Sequence, residues 1–153
     1  MSGTIPLAAG EEYTVIAAGD VISGAPAFTL LATQDENRSV ATQVSVKVVH
    51  AAAAVGNVNV HVTPVGNACS QMDVIMENPG CEALLASFAF GTISDYVAVA
   101  ADSYDIRVVV GGAVAIEALA FPLAAGTVAT VVAVGADEDD NDPAVPGLVV
   151  LTN

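Results

Sequence analysis

The chain has 153 residues, with AVILMFWYC at 54% and charged residues at 13%, which excludes a disordered chain and suffices for one packed core burying roughly 70% of its unfolded surface. Seventeen acids against three bases, Arg38, Lys47 and Arg107, leave a formal charge of −14. So few cations cannot neutralise a run of phosphates, and nucleic acid and anionic lipid are not expected as partners.

From the N-terminus, Met1-Ser2-Gly3-Thr4 carries neither the basic nor the apolar segment of an export signal, so any export signal is expected to have been removed or replaced before this numbering begins. Residues 4–33 read as two apolar strands, with Tyr13, Val15, Phe28 and Leu30 as the side chains available for assembly. Residues 34–40 read as a polar linker. Thr42 to His50 then alternates Val44, Val46 and Val48 against Ser45 and Lys47. Asn57 to Thr63 alternates Val58, Val60 and Val62 against Asn59 and His61, so both runs predict half-buried strands.

Cys69 and Cys81 are the only cysteines, and the eleven residues between them match neither a zinc pair nor a redox pair. A disulfide is the better reading. It would tether a connection carrying Asn78-Pro79-Gly80 and one short helix candidate, Met72 to Glu77, and stabilise by about 3 kcal/mol in the chain-entropy model. Short strands are predicted at Leu84 to Phe90 and Tyr96 to Val99, and Ser103 to Val110 forms a hairpin through Gly111-Gly112 with the run ending at Phe121. Strands at Thr127 to Val134 and Leu148 to Leu151 complete the chain. Many short strands at this spacing predict an all-β protein, an antiparallel β-sandwich. Ala118 to Ala136 is uncharged and long enough to span a bilayer, but it contains Pro122 and Gly126 and its second half is β-branched. No membrane insertion is expected.

An internal repeat is the most informative feature. Ile5-Pro6-Leu7-Ala8-Ala9-Gly10 through Gly19 aligns with Phe121-Pro122-Leu123-Ala124-Ala125-Gly126 through Gly135, and Pro26 to Thr33 aligns with Pro146 to Asn153. The chain holds two copies of a terminal strand pair and one copy of everything else. Residues 1–33 therefore read as the terminal strand pair of a preceding repeat, and 41–153 as a complete β-sandwich repeat.

Val46-Lys47-Val48-Val49-His50-Ala51, Asn57-Val58-Asn59-Val60-His61-Val62, Phe88-Ala89-Phe90-Gly91-Thr92-Ile93-Ser94-Asp95-Tyr96 and Ala100 to Val108 carry a further signal. Together with the Leu-Ala-Ala-Gly strand and the final Leu-Val-Val-Leu-Thr, they resemble the bacterial and archaeal extracellular repeats called domain of unknown function 4397. The resemblance covers nearly all of 41–153, and its tail half recurs in 4–33. It implies an immunoglobulin-like sandwich in secreted or surface proteins, often in tandem, with no established enzyme activity. Ala52-Ala53-Ala54 stands where the family usually has a Ser-Pro turn, Asp102 where Gly is common, and the cysteine loop looks like an insertion.

His50 and His61 are the only histidines. A metal site would need both together with a carboxylate, and His50 reads instead as a strand-end residue ordering the next loop. Ser94-Asp95-Tyr96 lacks a nucleophile elbow and reads as a turn, and Tyr104 is placed to bond backbone as a tyrosine corner does. Asp137, Asp139, Asp140 and Asp142, with Glu138, offer oxygen ligands that suit calcium, against the plainer reading of a solvated loop. No other cofactor and no catalysis are expected. The sequence favours a structural or adhesive module whose strand pair packs on its own domain, swaps with another copy, or enters a neighbouring repeat. The alternative is a sandwich presenting loops to a glycan or peptide.

Overall fold

The computed structural model describes residues 5–19, 24, 26–36, 39–53, 55–135 and 147–152. The described elements run β1 (Tyr13–Ala18), β2 (Thr29–Gln34), β3 (Gln43–Ala51), β4 (Val58–Pro64), α1 (Gln71–Ile75), β5 (Leu85–Phe88), β6 (Val97–Ala100), β7 (Asp102–Val110), β8 (Ala113–Leu123), β9 (Val128–Val134) and β10 (Gly147–Thr152). Two four-stranded sheets, ordered β10-β9-β3-β6 and β5-β4-β7-β8, form a β-sandwich, and β1 and β2 make a separate antiparallel pair.

Period-two alternation decides what each strand buries. Val44, Val46 and Val48 of β3 and Val131 and Ala133 of β9 meet Val58 and Val60 of β4, Tyr104 and Val108 of β7, and Ile116 and Leu123 of β8 in one core. The β7–β8 hairpin turns at Gly111 and Gly112, both at positive φ, as a two-residue loop between right-twisted strands requires. Tyr104 lies in the core and its hydroxyl donates to the Ala100 carbonyl at 2.9 Å.

Among the described strands, one pairing departs from the antiparallel pattern. β3 and β9 run parallel from Ser45↔Val128 to Ala51↔Val134. The cause is the Leu123-Ala124-Ala125-Gly126 turn, which carries the chain from the β8 sheet across to the β3 sheet. Gly126 sits at φ +82° with its N–H donating to Gln43, and the Ser45 N–H donates to the Thr127 carbonyl. The chain thus reaches β3 at the same end from which β3 itself starts. β9 is buried from Val128 to Ala133 because both its faces are covered, which explains its unbroken apolar run. Among the described residues, no helix is long and apolar enough to cross a membrane.

Cys69 and Cys81 are joined by a disulfide with Cα atoms 5.9 Å apart, and the loop between them carries α1. Ser70 caps the helix reciprocally with Asp73, which starts it one residue before Met72, and Glu77 at φ +49° lies past its end. Val74, fully buried, packs with both cysteines on Val109, so the loop covers the outer face of the β7 sheet.

Candidate functional site

The outer face of the β3–β9 pair is covered by the N-terminal hairpin. Along β3 that face changes from Ser45 and Lys47 to Val49 and Ala51, and along β9 it shows Thr130, Val132 and Val134. Ile16 and Ala18 of β1 and Leu31 of β2 lie against Val49, Val132, Phe90 and Ile93. Gly91, at φ +79°, brings the following loop beneath Leu31, whose Cδ2 is 3.7 Å from where a Cβ on Gly91 would stand. Ser94 ties that loop to β3: its Oγ accepts from the Val48 N–H at 2.9 Å, and its own N–H donates to the Val48 carbonyl at 2.9 Å. The Phe90 to Tyr96 segment is therefore a docking ledge beside β3 rather than a bare turn.

Lys47 completes the contact. Its ammonium, buried among β3 neighbours, donates to Thr33 Oγ1 and to the Gln34 carbonyl, each at 2.6 Å, and lies 4.1 Å from the centroid of the Tyr96 ring. Two oxygens and an aromatic face thus take the place of water around the cation. Asp35, in the stretch read as linker, is held by the hairpin: its N–H donates to the Glu12 carbonyl at 2.9 Å, and its Oδ2 accepts from Thr14 Oγ1 at 2.7 Å. A polar groove of about 640 Å³ opens here, lined by Gln34, Asp35, Glu36, Lys47, Ser94 and Tyr96. No motif pointed to Lys47 or Asp35. The available signal was a lysine on a strand face that turns apolar two residues later, as a partly covered face would.

The four residues expected to serve assembly share one face of the hairpin. Val15 and Leu30 are exposed on the side of the hairpin away from the sandwich, and Tyr13 and Phe28 are partly exposed. The docked side chains, Ile16, Ala18 and Leu31, have the opposite parity. Tyr13 pairs across from Gln34, Val15 from Ala32 and Leu30 from Ala17.

The histidines are not brought together. His50 is the penultimate residue of β3, where its Nδ1 accepts from the Ala52 N–H at 3.3 Å, so its Nε2 carries the proton donated to the Gly56 carbonyl at 2.9 Å. His61 lies on the other sheet, beneath the cysteine loop, with Nδ1 2.9 Å from the Cys81 carbonyl. Opposite it Arg107 is buried and paired with Glu117 at 2.6 Å and Asp105 at 3.3 Å. The covering loop, which local alternation does not announce, accounts for the burial. Among the described residues no cluster of His, Cys, Asp and Glu could hold a metal ion. Asp137, Asp139, Asp140 and Asp142 lie outside the described residues.

No curated protein matches the chain at a significant level. The profile described as Domain of unknown function (DUF4397) matches residues 1–61 and 65–152, which includes the hairpin, the Ser94–Tyr96 ledge and both sheets of the sandwich. The chain belongs to the DUF4397 family.

Proposed function

We propose that this is a non-catalytic structural or adhesive module of a secreted or surface-displayed repeat array, in which the hairpin is the closing strand pair of one unit clamped to the next. One observation carries the reading: a strand pair duplicated in sequence lies across the outer face of β3 and β9, through Ile16, Ala18, Leu31 and Lys47. Such a contact makes neighbouring units rigid with respect to each other. The disulfide and the acidic surface are compatible with an oxidising, aqueous setting.

Backbone relaxation tests the clamp. Order parameters of β1 and β2 should equal those of the sandwich, and Ile16→Asp with Leu31→Asp should set the hairpin tumbling independently. Independent tumbling in the unaltered chain would end the proposal. The groove beside Lys47 supports a second reading, a module binding a small polar ligand or peptide there. A glycan and peptide array on which binding is lost in Tyr96→Ala would favour that reading.

A further inference from the structure

The hairpin has a second side. In the repeat alignment Leu7, Val15 and Leu30 correspond to Leu123, Val131 and Val150, all of which belong to the sandwich core. Leu123 and Val131 are 4% and 3% exposed, whereas Leu7 and Val15 are 62% and 48% exposed. Phe28 corresponds to Leu148, which also packs against that core. The apolar face of the hairpin turned away from this sandwich is thus the face its twin turns inward.

The backbone repeats the pattern. Among the described residues β1 pairs only with β2, whereas β9, its counterpart, pairs with β10 on one edge and with β3 on the other. The two hairpins differ in register by two residues: Val15 faces Ala32, while Val131 faces Val150, the counterpart of Leu30. A two-residue difference preserves which side chains share a face. Leu7-Ala8-Ala9-Gly10 also ends at positive φ, with Gly10 at +86°, as Gly126 does at +82° in the turn that crosses between sheets.

We infer that the free edge of β1 and the exposed Leu7–Val15–Leu30 face belong to one sheet of a second sandwich, extended by a β3-type strand from another unit of this family pairing parallel to β1. The twin fixes the register: Val46, Val48 and His50 face Ala129, Val131 and Ala133, so their equivalents would face Tyr13, Val15 and Ala17. Recognition would combine main-chain hydrogen bonds along β1 with valines, spaced two apart, reaching the face that Val15 and Leu30 line. This rests on the clamp proposed above, because a docked hairpin presents this face and edge in a fixed orientation.

The probe is a peptide with the sequence of residues 41–52, added to the full chain and followed by amide exchange and NMR. At ten times its Kd, β1 amides not bonded to β2 should exchange about tenfold more slowly. A spin label on the peptide should place its Val48 beside Val15 in parallel orientation. A peptide with serine for Val44, Val46 and Val48 should not bind, and Val15→Asp should weaken binding at least about tenfold without lowering the melting temperature of the sandwich. No protection at millimolar peptide, antiparallel pairing, protection at another sheet edge, or β1 already closed by a second copy of the chain would each overturn the inference. The contacts of Ile16 and Leu31 with Val49 and Val132 are read in the same spectra. Their persistence without peptide binding would sink the edge proposal alone, and their absence would sink the clamp.

Discussion

Lys47→Met is the sharpest perturbation of the clamp. The substitution keeps most of the stem and removes the donor, leaving the Gln34 carbonyl and Thr33 hydroxyl without the ammonium that now lies 2.6 Å from each. Charge-assisted hydrogen bonds contribute roughly 1.5–3 kcal/mol each, and a partly desolvated cation–π contact about 1–2 kcal/mol. Against these stands relief of the several kcal/mol that desolvating an ammonium costs. A net loss of about 2 kcal/mol in the docking free energy follows, a factor of roughly 30. Because Lys47 bonds the hairpin and not the opposite sheet, the loss should be local. In native-state hydrogen exchange, amides of β1 and β2 should exchange roughly 30-fold faster while those of Ile106 and Val108 in β7 change little. Unchanged hairpin exchange would refute the bridging role, and equal acceleration in β7 would show that the lysine supports the whole fold instead.

Removing the disulfide by Cys69→Ala with Cys81→Ala should lower stability by about 3 kcal/mol, measured as a lower urea midpoint, with the largest gain in exchange at Val74 and Val109. Tyr104→Phe should cost about 1 kcal/mol through the lost bond to Ala100. Burial first, and Asp102 second, hold the Tyr104 phenol above its ordinary value near 10. Its stabilisation is complete below the unfolded value and fades as pH rises through the folded one, so alkaline melting should lose one component in Tyr104→Phe. The Ser70 hydroxyl first, then the Asn78 amide and the Ser70 N–H, hold Asp73 below the usual carboxylate range. Its contribution is present above an unfolded value of about 3.9 and lost as pH falls through the lowered folded one. α1 should therefore loosen only in strong acid, and Asp73→Asn should abolish that acid step in exchange at Val74. Gly19→Ala places a Cβ 2.6 Å from the Ala27 carbonyl oxygen and Phe28 Cα at φ +116°, and should speed exchange in β1 and β2 without unfolding the sandwich.

Alternation made the sandwich strands legible. The run from Thr42 to His50 is β3, that from Asn57 to Thr63 is β4 within a residue at each end, and Gly111-Gly112 is the turn between β7 and β8. Alternation assigns side chains to faces but carries no direction, so the parallel entry of β9 was invisible until the Leu123–Gly126 turn was seen to cross between sheets. What covers a face was also illegible. His61 and Arg107 sit on the polar side of their strands, and it is the cysteine loop, distant in sequence from Arg107, that buries them. That Tyr13, Val15, Phe28 and Leu30 share one face of the hairpin is legible from period-two alternation. The docked face was missed because Ile16, Ala18 and Leu31 meet residues of β3 and β9 that no local pattern links to them.

Burial of the bases has a chemical consequence. Lys47 and Arg107 are each 5% exposed, and Arg38 lies outside the described residues. A protease that reads a basic side chain finds two of its three targets sealed within the folded protein, so cleavage after Lys47 or Arg107 becomes a clock for unfolding. Reagents that seek lysine amines meet the same barrier, since the chain's one lysine side chain is turned under the hairpin.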